Sequence, residues 1–384
     1  MKILITGGAG FIGSHLADNC LESGHKVVLL DNLDPQVHGE GGAKAARIQG
    51  ADFIHGDVTD PKAMLKALDG VDAVAHLAAT VGVGQSMYEV VYYTHANVTG
   101  TACLYQTIIK NRLPVKKIVV ASSMSAYGEG LYRCERCAKN VRGQMRPEQR
   151  LKSGLWELEC PQCHGALKPV GTPETEMFHC ESIYALSKRD TEEIAIMLGR
   201  SHNLPTVALR FFNVFGTGQS LSNPYTGVAA IFFSRILNER SPVIYEDGLQ
   251  SRDFIHVRDV ARAVRLSLES PVKDRVFNVG RGQAVTIAQV ADLALKAAGR
   301  KGRIAADING AYRTGDVRHC FADAQAIRRE LRWEPRVSLE EGFEELYAWA
   351  KQSQAHDHFD RAAEELKRYG LVKPAGKTSP KASV

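Results

Sequence analysis

The chain opens "MKILITGGAGFIGSHL". A short apolar run ends in small residues, a knot of glycines follows, and a helical pattern runs from Ser14 to Glu22. No other feature narrows the possible folds as much. Gly8, Gly10 and Gly13 satisfy G-x-G-x-x-G, and Gly7, Gly10 and Gly13 satisfy G-x-x-G-x-x-G. Either spacing gives a turn without β-carbons, so the backbone can approach a pyrophosphate. Phe11 and Ile12 lie inside this turn, and the helix that follows turns its N-terminal N–H groups and positive dipole end to the same anion. A second apolar run, "HKVVLL", ends at Asp31 and Asn32. A carboxylate about 20 residues beyond the glycines suits the adenosine ribose hydroxyls and repels a 2′-phosphate, which favours NAD over NADP.

The alternation continues. "ADFIHGDVTD" reads as a third strand ending at Asp57 and Val58, with Asp57 facing the adenine amino group. "VDAVAHLAA" is a fourth, and its end at Leu77, Ala78 and Ala79 is where a dinucleotide would lie. "KKIVVASS" is a fifth. Strands alternating with helical stretches predict an α/β fold of Rossmann type, a doubly wound parallel sheet with its ligand at the carboxyl ends of the strands.

Ser123 closes the fifth strand, and "SIYALSKRD" places Tyr184 and Lys188 four apart on one helical face. An ammonium beside a phenol favours the phenolate, and a tyrosine tuned in this way can move a proton near neutral pH. Tyr-x-x-x-Lys alone is common in helices. It gains weight from the glycine turn, the acid and the serine that precede it.

These features, with "RFFNVFG", "SRDFIHVRDVARA", "VFNVGRGQAVTIAQV" and "RTGDVRHCFAD", resemble the extended short-chain dehydrogenases/reductases that act on nucleotide sugars. The resemblance covers about 1–130 and 172–350. It implies a Ser123–Tyr184–Lys188 catalytic set, tightly bound NAD and a nucleotide-diphosphate sugar as substrate. It further implies substrate contacts from Ser86, Ser123, Asn213, Arg252 and Arg313, with Tyr245 in the base-binding segment, and a homodimer. Guanidinium forks suit phosphate oxygens. Relatives that dehydrate or decarboxylate carry Glu two residues before the tyrosine of the "YG" pair, and relatives that enolise the sugar carry Cys. Here that position is Ser125, preceded by Met124. Neither side chain can take a carbon-bound proton, so the expected reaction is epimerisation, most often at C4. Whether the base is thymine or uracil stays open, as do a dehydratase and a non-enzymatic NAD-dependent binding module.

Between Tyr127 and Tyr184 the chain runs longer than in those relatives. Roughly 131–171 is an expected insertion, and it holds "CERC" and "CPQC". Cys134, Cys137, Cys160 and Cys163 have zinc-ribbon spacing, and four thiolates would fill a tetrahedral Zn²⁺ shell without leaving a position for substrate. The expected role is structural, since zinc would supply folding energy to a segment with little core. Two roles stay open for the insertion, a lid over the sugar or a subunit contact. Its Arg and Lys residues raise nucleic-acid binding as a rival, weakened because Tyr132 and Trp156 are its only aromatics.

The remaining cysteines, 20, 103, 180 and 320, sit among apolar neighbours and suit a reducing cytoplasm. No apolar run is long enough to cross a membrane. The net charge of +5 is mild and compatible with a polyanionic substrate. The expected division is a dinucleotide-binding part over 1–130 and 172–240, a smaller, mainly substrate-binding part over 241–350, and a disordered tail over 368–384.

Overall fold

The computed structural model describes residues 1–39, 48–353 and 357–374. Its main sheet has seven parallel strands in the order β14-β9-β5-β4-β1-β2-β3. These are β1 (Lys2–Thr6), β2 (Lys26–Asp31), β3 (Ala51–His55), β4 (Ala73–His76), β5 (Lys117–Ser123), β9 (Thr206–Phe211) and β14 (Arg275–Val279). The central strands are near-continuous apolar runs because helices cover both faces. Phe11–Glu22 and Val257–Glu269 pack on one side, through Leu16, Ala17, Val260 and Val264. Gly100–Asn111 and Ile183–Ser201 pack on the other, through Leu104, Ile108 and Ala195. The chain leaves β1 toward β2 and β3, then crosses back to β4 and β5. The order reverses between β1 and β4, and a crevice opens there at the strand ends, where doubly wound sheets hold their ligands.

The insertion is a separate three-stranded antiparallel sheet: β6 (Leu131–Cys134) lies between β7 (Lys139–Arg142) and β8 (Leu167–Val170). Its two ends meet, since Leu131 pairs with Val170.

A second core joins the helices Val228–Leu237, Ile287–Ala297 and Leu339–Ala350 around Phe232, Phe233, Val290, Phe343 and Leu346. The first of these helices belongs to this smaller unit although it precedes residue 241, and β14 returns to the main sheet from beyond it. Short strands stitch the smaller unit together. β10 (Asn213–Phe215) pairs with β13 (Phe254–His256), and β11 (Val243–Ile244) pairs with β16 (Asp307–Ile308). β12 (Ser251–Arg252) lies between β15 (Val285–Thr286) and β18 (His319–Cys320).

The expectation of a disordered tail from 368 fails at its start. β19 (Val372–Lys373) pairs antiparallel with β17 (Tyr312–Arg313), and Val372 is buried. The composition of the last residues hid a short strand that depends on a distant partner. Residues 375–384 lie outside the described part. No described helix is long and apolar enough to cross a membrane.

Candidate active site

A cavity of about 490 Å³ fills the crevice. Every residue expected to hold the dinucleotide lines it: Gly7, Gly10, Phe11, Ile12 and Gly13 at the turn, Asp31, Asn32, Asp57 and Val58 at one end, and Leu77, Ala78 and Ala79 along β4. Gly7 has φ +66, and a β-carbon there would lie 2.8 Å from the Ala78 backbone. At Gly13 a β-carbon would lie 2.1 Å from the Gly7 carbonyl oxygen. The turn thus closes against β4 only with glycine at both positions. The Phe11–Glu22 helix begins at Gly10 with no side-chain cap, which leaves its first N–H groups for a ligand.

Asp31 is buried at the end of β2 and accepts the Ala9 and Leu33 N–H groups at 3.1 and 2.9 Å. Burial raises the Asp57 carboxyl, but hydrogen bonds from the Thr59 side chain and backbone and from Asn32 outweigh it. The net pKa lies below the usual carboxylate range. Both acids are positioned as acceptors. The cradle, the uncapped helix and this acid pair fit NAD.

Ser123, Tyr184 and Lys188 meet on the same cavity wall. The helix bearing Tyr184 is started by Ser182, whose side chain accepts the Ala185 N–H at 3.1 Å. Ser125 donates its hydroxyl to Ser123 at 2.9 Å, and Ser123 hydrogen-bonds the Tyr184 phenol. The expectation that Lys188 lowers the Tyr184 pKa is not met here. Burial raises the phenol, and only the Ser123 hydrogen bond lowers it. Burial also lowers Lys188 from 10.5 to about 8. Desolvation leads for both groups because both are buried. Beneath them His76 is bracketed by Thr6 and Thr101 at 2.8 and 3.2 Å, and burial together with the Lys188 charge lowers it to about 3. It is a neutral imidazole at physiological pH.

Ser86 does not line the cavity. It is fully buried and its Oγ accepts the Tyr184 N–H at 3.0 Å, so it fixes the tyrosine helix. Asn213 does line the cavity, and its Oδ1 is buried without a partner. Arg252, Arg313 and Tyr245 lie outside the cavity lining. Arg252 donates to Asp316 at 3.0 Å and to the carbonyls of Ser251, Val317 and Arg318. The Arg313 guanidinium lies 4.8 Å from the Tyr245 ring centroid, and its Nε has no hydrogen-bond partner.

Three features escaped sequence reasoning. Gln219 lines the cavity with an unpartnered buried Oε1. The Val228–Leu237 helix starts at Gly227 on the cavity wall, again without a side-chain cap. Tyr225, also on the wall, shares hydrogen bonds with Tyr88 at 2.7 Å and Glu365 at 2.5 Å. The segment "LSNPYTGVAAIF" contains Tyr225 and the start of this helix, and its Asn-Pro and Gly were the available signal. The wall around Ser123 and Tyr184 carries Met124 and Ser125, and among the described residues the carboxylates lining the cavity are Asp31, Asp34 and Asp57.

In the insertion the four cysteine sulfurs lie within 4.8 Å of one another. The Cys134–Cys163 pair is 3.5 Å apart and the Cys137–Cys160 pair 3.9 Å. Sulfurs on a tetrahedral zinc shell would be ~3.8 Å apart, so the set fits that ion. All eight cysteines are free thiols.

Residues 3–147 match the family model described as NAD dependent epimerase/dehydratase family, and 161–346 match that of GDP-mannose 4,6 dehydratase. A dTDP-L-rhamnose 4-epimerase of Burkholderia thailandensis is 35% identical over 355 residues, covering 91% of this chain and 95% of that protein. The structure is similar to a Thermotoga maritima UDP-glucose 4-epimerase with UDP-glucose, at TM-score 0.73 and 30% identity, covering 92% of this chain and 99% of that one. It is also similar to a Thermus thermophilus UDP-glucose 4-epimerase complex with NAD, at TM-score 0.72 and 27% identity, covering 92% and 100%.

Proposed function

Because the chain belongs to the NAD-dependent epimerase/dehydratase family of nucleotide-sugar enzymes, we propose that it interconverts dTDP-L-rhamnose and its C4 epimer. The observation that carries the reaction type is the composition of the wall around Ser123 and Tyr184. Among the described residues it offers a phenol, two serine hydroxyls, a thioether and the Lys188 amine, and no carboxylate or thiol to remove a proton from carbon. Epimerisation at the oxidised carbon needs no such base. The 35% identity to a dTDP-L-rhamnose 4-epimerase favours that substrate.

Tyr184 takes the proton of the sugar 4-hydroxyl and later returns it, while Ser123 holds the same oxygen. Lys188 binds the cofactor ribose and restores phenolate character as it gains acceptors. NAD, when bound, supplies the hydride acceptor and, once reduced, the donor to the opposite sugar face. Asp31 and Asp57 anchor its adenosine end, and the uncapped helix at Gly10 anchors its pyrophosphate. The second uncapped helix, at Gly227, with Gln219 and Asn213 beside it, suits the sugar diphosphate. Arg252, Arg313 and Tyr245 complete the nucleotide end by moving from their present partners. The four cysteines bind a structural Zn²⁺.

A homodimer in the cytoplasm completes the reading. Val91 is 81% exposed and Met197 63% exposed on helices beside the tyrosine wall, which supports a subunit contact there. Nucleic acid is not an expected partner. The insertion's Arg146, Arg150 and Lys152 are paired with Glu246, Glu159 and Glu148.

The test is incubation with dTDP-L-rhamnose in deuterated water, followed by proton NMR, with UDP-glucose and UDP-galactose in parallel. A C4 epimer without deuterium at carbon is the expected product. Turnover of only the UDP sugars would move the assignment to a UDP-sugar 4-epimerase. Deuterium at carbon, or a dehydrated product, would overturn the reading of the wall.

A further inference from the structure

Tyr245, Arg252 and Arg313 sit on segments with little regular structure, since β11, β12, β17 and β18 have two residues each. Part of what fixes these segments comes from the insertion. Arg146 is 5% exposed and donates Nη1 and Nη2 to the Glu246 carboxylate at 2.9 and 2.7 Å, and Nη2 also to the Asp316 carbonyl at 2.9 Å. Arg318, fully buried, donates to the same Glu246 carboxylate at 2.9 Å and to Asp247 at 2.7 and 2.9 Å. It also donates to Glu157 of the insertion at 2.9 and 2.5 Å. Glu157 in turn meets the His319 ring at 3.1 Å.

The residue at the centre of this network has an unusual backbone. Glu246 has φ 56, the left-handed region that side-chain-bearing residues rarely adopt. It directly follows Tyr245. A bidentate guanidinium from one side and a second guanidinium from the other hold the carboxylate, and through it the turn, in that conformation. None of residues 131–170 lines the dinucleotide cavity. The insertion therefore adds no wall to that cavity and meets the rest of the chain beside the segments that bear Tyr245, Arg252 and Arg313.

We propose that the insertion is a positioning module for the nucleoside diphosphate. Arg146 and Glu157, acting through Glu246 and Arg318, set the turn that bears Tyr245 and Arg252 and the strand that bears Arg313. Arg146 and Glu246 are positioning residues and do not touch the reacting atoms. The inference rests on the nucleotide-sugar reading above. It assigns the insertion to substrate affinity and leaves hydride and proton transfer to the main sheet. The segments are preorganised, so less ordering is left to be done on binding.

The experiment titrates dTDP and UDP into the holoenzyme by calorimetry, for wild type, Arg146→Met, Arg146→Lys and Glu246→Gly, and follows kcat and KM with the epimerised sugar. Arg146→Met is expected to weaken nucleoside-diphosphate binding and raise KM by about tenfold, with kcat and NAD content within about twofold of wild type. Arg146→Lys, which keeps the charge and loses the fork, falls between. Glu246→Gly relieves the backbone and still loses affinity, because the tether is gone. Wild-type affinity in either Arg146→Met or Glu246→Gly overturns the inference, as does a parallel loss of NAD content and melting temperature. If Arg146→Met fails to fold, Glu246→Gln carries the same expectation and the same refutation. Wild type that binds neither dTDP nor UDP overturns the nucleotide-sugar reading itself, and the inference with it.

Discussion

Replacing Lys188 by Met is expected to make the protein more stable and catalytically silent. Lys188 is 4% exposed, and burial lowers its pKa from 10.5 to about 8. At neutral pH the folded chain carries an ammonium in a wall that disfavours it. The shift corresponds to about 3 kcal/mol of folding free energy spent on that charge. Met has a similar length, no charge and no such cost. For a chain of this size about 3 kcal/mol moves the midpoint by roughly 4 °C.

The pH dependence gives a sharper test. Between pH 8 and 10.5 the unfolded chain keeps a proton on this lysine that the folded chain has released. Wild-type stability therefore rises with pH across that window, and the variant gains nothing from it. The variant's advantage is full below pH 8 and gone above pH 10.5. The assay is thermal melting of dinucleotide-stripped wild type and Lys188→Met at intervals through this range, with turnover measured on reconstituted protein. Turnover should fall by about 10²–10⁴. A variant that melts below wild type at neutral pH, or whose margin does not shrink as the pH rises, would refute the argument that burial dominates this site.

Zinc analysis should find one ion per chain, and Cys160→Ser should lose it. The same variant should become susceptible to proteolysis within 131–170 while NAD content is retained. Gly13→Ala should leave the fold largely intact and lower NAD occupancy by about tenfold or more, read from the absorbance of released dinucleotide, because the new β-carbon would lie 2.1 Å from the Gly7 oxygen.

The parts of the molecule legible in the sequence are those governed by short-range rules. A glycine turn needs residues without β-carbons, so Gly7 and Gly13 announce themselves. A buried parallel strand needs an apolar run, so "KILIT" and "VVLL" do too. Cysteine pairs at ribbon spacing meet because each knuckle is local and β6 pairs with β8. Ser86 misleads because a serine beside a substrate and a serine beside a backbone N–H are the same letter. The chain around it does not show that Tyr184, nearly a hundred residues on, will be its partner. Arg252 and Arg313 suit phosphate by residue type, but spacing does not show that nearby carbonyls, Asp316 and the Tyr245 ring partner their guanidinium groups. The Lys188–Tyr184 pair was placed on one face, yet the sign of their pKa shifts depends on burial, which spacing does not reveal. The Arg146–Glu246 contact spans the insertion and the smaller unit, and no periodicity encodes it.

The pairing of Leu131 with Val170 at the base of the insertion also bears on how the chain reaches its native state. The sheet cannot join β5 to β9 until the long segment between them has been looped out, and the entropy of such a closure is paid before the pairing rewards it. A three-stranded insertion that folds on its own contacts removes most of that loop in advance. The remaining link from Ser123 to the tyrosine helix is then roughly a third as long, and closing it costs about 1 kcal/mol less. On the proposal that the four cysteines hold Zn²⁺, a chain made without zinc would meet that closure cost in full before the two halves of the catalytic wall come together.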